Sequence, residues 1–317
     1  MRRILLCALL AIISAPSLSA EDPNTALANL SDLSRRGQLP QLIQAASSLL
    51  EADQLNPTDR AMTLTYLGYA YQQTGEFTKA TANYEKALAV LERDGQHPSE
   101  YAATLGPLAT VYAQIGQIDT AKHLLLRSVH LFENENDHGG AAMAWNDLAA
   151  IAAQQHLRHE AHKDMARSND EQQLASNMTP GELAAITTTA GRIAELDGDA
   201  RTAIQDYGRA LELWKQTNQD QQQRTAWLYV LLGGAYLQAG DIADARETAG
   251  RGLALFEATS GRQSPRYFAA QLTYAKVLDA SGAHNEAATL RKEAQESLNT
   301  ATDRQRAQSE ISVSALR

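Results

Sequence analysis

Residues 67–88 read LGYAYQQTGEFTKATANYEKAL, and this stretch decides the fold. Leu64, Leu67 and Tyr71 recur at three- and four-residue steps, as do Ala80, Tyr84, Ala87 and Leu88. Each set draws an apolar stripe down one helix face. Gly75 sits between the two stripes and can take the left-handed conformation that ends a helix without steric cost. Ala80 is small where two antiparallel helices would cross closely, and the tyrosines fill the wider gaps. The stretch therefore reads as a helical hairpin broken at Gly75.

The same pattern returns along the chain. Residues 108–129 read LATVYAQIGQIDTAKHLLLRSV, with Tyr112, Gly116 and Ala121 each 41 residues after Tyr71, Gly75 and Ala80. The hairpin divides fall at Gly37, Gly75, Gly116, His156, Gly198, Gly240 and Gly282, at intervals of 38, 41, 40, 42, 42 and 42. So even a spacing is an internal repeat. One hairpin leaves an apolar face open, and stacking the next hairpin covers it. The reading is an all-α solenoid of about seven antiparallel helical hairpins.

Punctuation agrees with the repeat. Thr179-Pro180-Gly181-Glu182 carries a cap, a first-turn proline and a reciprocal glutamate. Ser264-Pro265 and Asp22-Pro23 offer the same cap-and-proline start, and residues 133–140, ENENDHGG, read as a connection. Three irregularities stand out. The first unit has only Gly37, Leu42 and Ala46 as good anchors, one later unit has His156 where the others have glycine, and Pro107 falls inside a helix that it should bend.

The N-terminus differs from the rest. MRR followed by ILLCALLAII and Pro16 has the layout of a secretory signal peptide over residues 1–20. The domain reading is then a signal peptide at 1–20, a solenoid at 21–300 and a polar tail or capping segment at 301–317. The expected location is periplasmic or secreted. Removing Arg2 and Arg3 with the signal takes the net charge from −9 to about −11, which disfavours a nucleic-acid partner. Cys7 is the one cysteine, so the mature chain has no disulfide and no thiolate chemistry. No later segment is apolar enough to span a membrane.

The small and aromatic spacing resembles the tetratricopeptide repeat family. Leu67, Gly68, Tyr71, Ala80, Tyr84 and Ala87 match its pattern in full, and Gly191, Ala203, Tyr207 and Ala210 match it again. The interval near 42 is similar to the longer-helix variety found in kinesin light chains. The resemblance implies a right-handed superhelix whose concave groove holds a peptide or protein. It places Tyr69, Gln72, Gln73, Gln114, Asn146, Arg192, Trp227, Gln238 and Lys276 as candidate partner-binding positions on the groove wall. Amide side chains can bond a peptide backbone as donor and acceptor, and Arg192 and Lys276 suit an acidic group. The basic and asparagine-rich set with which relatives clamp chaperone tails is not assembled.

Motifs for chemistry are missing. HLRHEAH spaces His156, His159 and His162 three apart across a helix divide, which suits turn-surface residues better than a metal site. No phosphate loop, dinucleotide fingerprint or nucleophile elbow is present. The expectation is a protein-binding or peptide-binding scaffold without catalytic, cofactor or metal residues. A structural assembly subunit is the alternative, and a helical-solenoid carbohydrate-binding protein or enzyme is a more distant one. Homo-oligomerisation stays open.

Overall fold

The computed structural model describes residues 23–52, 55–217, 222–260, 262 and 264–314. The segment read as a signal peptide lies outside them. Fourteen helices and no strand occur among the described residues. They pair as α1 Pro23–Arg35 with α2 Leu39–Glu51, α3 Pro57–Thr74 with α4 Phe77–Asp94, and α5 Pro98–Gln114 with α6 Ile118–Asn134. Next come α7 His138–Gln154 with α8 Arg158–Leu174, and α9 Pro180–Asp197 with α10 Ala200–Gln216. The last pairs are α11 Gln222–Ala239 with α12 Ile242–Ser260, and α13 Pro265–Ala280 with α14 His284–Ser314. This is the expected solenoid of seven antiparallel hairpins, and residues of the expected tail extend α14 as far as Ser314.

All seven divides adopt positive φ. Gly37, Gly75, Gly116, Gly198, Gly240 and Gly282 lie between 67° and 86°, and His156 lies at 58°. The unit divided at His156 thus keeps the left-handed turn although it lacks the glycine, at the steric cost of a Cβ there. Pro107 sits within α5, which continues through it.

Within a hairpin, close contact is made by bare backbone against a ring. A Cβ built on Gly68 would lie 2.9 Å from the Tyr84 ring, and one on Gly191 would lie 2.6 Å from the Tyr207 ring. Tyr84 and Tyr207 are fully buried. Side chains at 68 and 191 would drive the paired helices apart. The Gly139-Gly140 pair that reads as loop instead opens α7, and Phe132 packs onto Gly140.

Buried polar groups are tied in at repeating places. Ser128 Oγ donates to the Ala102 carbonyl and Ser168 Oγ to the Ala142 carbonyl, each at 2.8 Å. These serines stand 40 residues apart at a position where other units carry alanine, such as Ala87 and Ala210. The hydroxyl fits there because it reaches a carbonyl of the partner helix. Helix starts follow the sequence signals: Thr179 and Glu182 form a reciprocal capping box, and Ser264 Oγ accepts from the Tyr267 N–H at 3.1 Å.

Successive hairpins are also clamped at their edges. Arg158 reaches the Leu196 carbonyl at 2.6 Å and the Asp197 carboxylate at 3.0 Å, and His162 Nε2 lies 2.8 Å from the same carboxylate. Of the histidines in HLRHEAH, His156 makes the turn and His162 joins the next hairpin. Among the described residues no group of three or more His, Cys, Asp or Glu could hold a metal ion. No helix of the described residues is long and apolar enough to cross a membrane.

The stack curls back on itself. First helices touch one another along the row, as α1 with α3, α5 with α7 and α11 with α13. At the far end α14 comes round to touch α4. The late hairpins are thereby brought near the early ones.

Candidate functional site

The structure sorts the nine residues projected onto the groove into three groups. Gln72 and Asn146 are buried, at 8% and 3% exposure. Gln72 accepts from the Tyr84 hydroxyl at 3.2 Å and donates to Gln114 Oε1 at 3.2 Å, so it links two hairpins from inside. Trp227 is half-buried in the core between α11, α12 and α13, edge-on to Phe256 with ring centres 6.1 Å apart. Tyr69, Gln73 and Arg192 are half-buried, while Gln114, Gln238 and Lys276 are exposed. Gln238 Nε2 donates to the Glu195 carbonyl at 3.2 Å.

Glu195 occupies in α9 the place that Gln72 holds in α3, three residues before the divide. The Tyr207 hydroxyl donates to it at 2.5 Å. Burial pushes the Glu195 carboxyl up, against the opposing pull of the Tyr207 hydrogen bond and of Arg192. Burial also drives the Tyr207 phenol far above its ordinary value, reinforced by Glu195. The tyrosine is a donor at all working pH values.

The superhelical curl assembles a second set of charged groups that the sequence reading did not select. Asp147 sits in α7 beside Asn146 and lies deep in the wall, with part of its surface still wet. Desolvation pushes its carboxyl up to about 6, against a hydrogen bond from Asn146 and the positive charge of Arg224. Arg224 belongs to α11, two hairpins further on, and its guanidinium stands 5.0 Å over the Trp214 ring. Arg266 belongs to α13. Burial lowers its pKa, Tyr69 of α3 opposes that change, and Arg224 adds to it. Residues from the second, fourth, sixth and seventh hairpins thus share one electrostatic neighbourhood.

Part of this set follows the repeat register. Sixteen residues before successive divides stand Asp59, Glu100, Gly140, Glu182, Arg224 and Arg266. Acidic residues suit a helix's first turn, because its free N–H groups carry partial positive charge. Arg224 and Arg266 run against that preference. The signal was present in the sequence as two arginines 42 residues apart. What the sequence could not show is the curl that brings them near Asp147 and Tyr69.

A cavity of about 710 Å³ opens beside Asp147, between α5, α7 and the start of α9. Ala103, Gly106, Met143, Ala144 and Met178 are among the residues that line it with Asp147. A Cβ on Gly106 would lie 3.5 Å from Asp147 Oδ2, so the carboxylate rests over bare backbone. The wall mixes small and apolar residues with polar and charged ones, Glu100, Asp137, His138 and Glu182 among them.

Comparison with known proteins gives the following. Residues 59–134 and 182–258 match the sequence profile described as Tetratricopeptide repeat. A search of curated proteins finds no sequence match. Among solved structures, the Rap conjugation gene regulator of the plasmid pLS20 in complex with the Phr* peptide matches at TM-score 0.63 and 13% identity. That match covers 88% of this chain and 71% of that chain. NprR in complex with its cognate peptide NprX matches at TM-score 0.62 and 15% identity, over 88% of this chain and 78% of that one. A Rap protein complexed with Competence and Sporulation Factor matches at 0.60 and 13%, over 89% and 98%. At such identities the likeness is one of fold.

Proposed function

Since the chain is a solenoid of tetratricopeptide repeats, we propose that it is an exported, non-catalytic scaffold whose concave wall binds an extended peptide or a segment of another protein. The observation that carries this reading is the convergence of Tyr69, Asp147, Arg224 and Arg266 on the concave side from four separate hairpins. Two structures of similar fold hold peptides, NprR its cognate peptide NprX and the Rap regulator of pLS20 the Phr* peptide. The 42-residue interval supports placing the repeats with the longer-helix variety of kinesin light chains. The acidic net charge speaks against a nucleic-acid partner.

Photo-crosslinking from position 69 or 192 in the producing cell tests groove binding. The expected result is a reproducible protein or peptide adduct that is lost in Arg224→Ala with helicity retained. Adducts unchanged by Arg224→Ala and Arg266→Ala together would overturn the groove as the binding surface. Export is tested by N-terminal sequencing of the purified protein. Maturation near residue 20 supports it, and an intact N-terminus on cytosolic protein refutes it.

A further inference from the structure

We propose that the cavity beside Asp147 receives a cationic nitrogen of the bound peptide, a lysine or arginine side chain or the terminal ammonium, against the Asp147 carboxylate. The inference rests on the groove-binding reading and specifies one subsite of it.

The case begins with the carboxylate's partners. Asp147 has no ion pair among the described residues. Asn146 supplies a hydrogen bond and Arg224 acts at longer range. Asn146 is itself nearly fully buried, and its Oδ1 has no hydrogen-bond partner. Of the two, Asp147 lines the cavity. A nitrogen donor carrying positive charge matches its charge and its open acceptor positions.

The other acidic groups of the cavity already have work. Asp137 accepts from the Gly140 N–H at 2.9 Å, and Glu182 closes the capping box with Thr179. Glu100 lies 3.6 Å from His97 Nδ1, and His138 lies 2.7 Å from Glu171. Asp147 has no comparable structural task. Shape agrees as well. The volume of about 710 Å³ admits a long side chain, and Met143, Met178 and Ala103 can pack against its methylenes. Gly106 leaves the approach to Oδ2 unobstructed.

Protonation gives independent support. With its carboxyl at about 6, Asp147 is ionised at neutral pH and largely neutral near pH 5. A seated cation holds the carboxylate ionised, so binding opposes protonation. Glu100, Asp137, His138 and Glu182 line the same cavity, and Arg224 is the cation acting on Asp147.

The test pans phage-displayed random octapeptides against the full chain at pH 7.5. Recovered peptides are then measured by fluorescence anisotropy. The expected result is enrichment of lysine or arginine at one position. Those peptides should bind at least tenfold more weakly to Asp147→Asn, and also to Gly106→Leu, which fills the cavity and keeps the charge. Enriched peptides without a basic preference, or basic peptides that bind Asp147→Asn unchanged, overturn the subsite and leave the groove reading standing. No enrichment over an unloaded support overturns both.

Discussion

Asp147→Asn should make the protein more stable at neutral pH. The carboxyl is raised from the ordinary 3.8 to about 6, chiefly by desolvation. Each pKa unit corresponds to about 1.4 kcal/mol, which bounds the cost of the ionised form at about 3 kcal/mol. Partial solvation of the side chain reduces this to roughly 1–2 kcal/mol. The sign follows from linkage. A carboxyl whose folded pKa exceeds its unfolded one binds protons preferentially in the folded state. Its penalty is therefore full above about pH 6, fades as the pH falls towards 4, and is gone below. Urea unfolding followed by circular dichroism at pH 7.5, 5.5 and 4 measures the difference between the two proteins. Equal slopes in urea are the condition for comparing them, since solenoids can unfold piecewise. The substituted protein should be ahead by roughly 1–2 kcal/mol at pH 7.5 and level with the wild type at pH 4. Equal stability at pH 7.5, or a difference that ignores pH, would refute a desolvated carboxylate at this place.

Three further outcomes follow from the packing. His156→Gly removes a Cβ at φ 58° and should stabilise the protein by roughly 0.5–1 kcal/mol in the same urea assay. Gly191→Ala and Gly208→Ala should move in opposite directions. The first drives a Cβ to 2.6 Å from the Tyr207 ring and should cost roughly 1–3 kcal/mol, whereas the second meets nothing within 4 Å inside α10 and should gain up to about 1 kcal/mol. Tyr207→Phe takes the hydroxyl from the half-buried Glu195 and should cost roughly 1–3 kcal/mol, with a smaller loss in a Glu195→Gln background, as thermal melts of the four proteins would show.

The hairpins were legible because each rests on local rules. Left-handed turns need glycine, close crossings need Gly or Ala, and the period repeats both. Even the departure at His156 kept its place, since the neighbouring apolar stripes fix where the turn must fall. The groove was less legible. A register places Gln72 and Asn146 on first helices, but it does not say which neighbour reaches over them. Tyr84 and Gln114 occupy Gln72 from within, and Phe256 takes the edge of Trp227. Small rotations between hairpins accumulate into the curl that sets Arg266 near Tyr69, and no short stretch of sequence encodes that sum.

The repeat itself supplies the control for judging which charges serve the fold. Nine residues before successive divides stand Tyr66, Pro107, Asp147, Thr189, Leu231 and Thr273. Five hairpins use an uncharged residue at this place and still stack. The solenoid has no general need of a carboxylate there, and Asp147 is held ionised at neutral pH against its burial. The same comparison isolates Arg224 and Arg266, which stand in the first turn where earlier hairpins have Asp59, Glu100 and Glu182. Cations at that end of a helix oppose the backbone dipole and lose a few tenths of a kcal/mol each. Local rules are thus broken three times, in three different hairpins, and the three charges are linked electrostatically, Asp147 to Arg224 and Arg224 to Arg266. Independent structural accidents would scatter over both faces of the superhelix. Their convergence on one side is what a binding wall requires, with its carboxylate and its guanidinium groups at separate places along a bound chain.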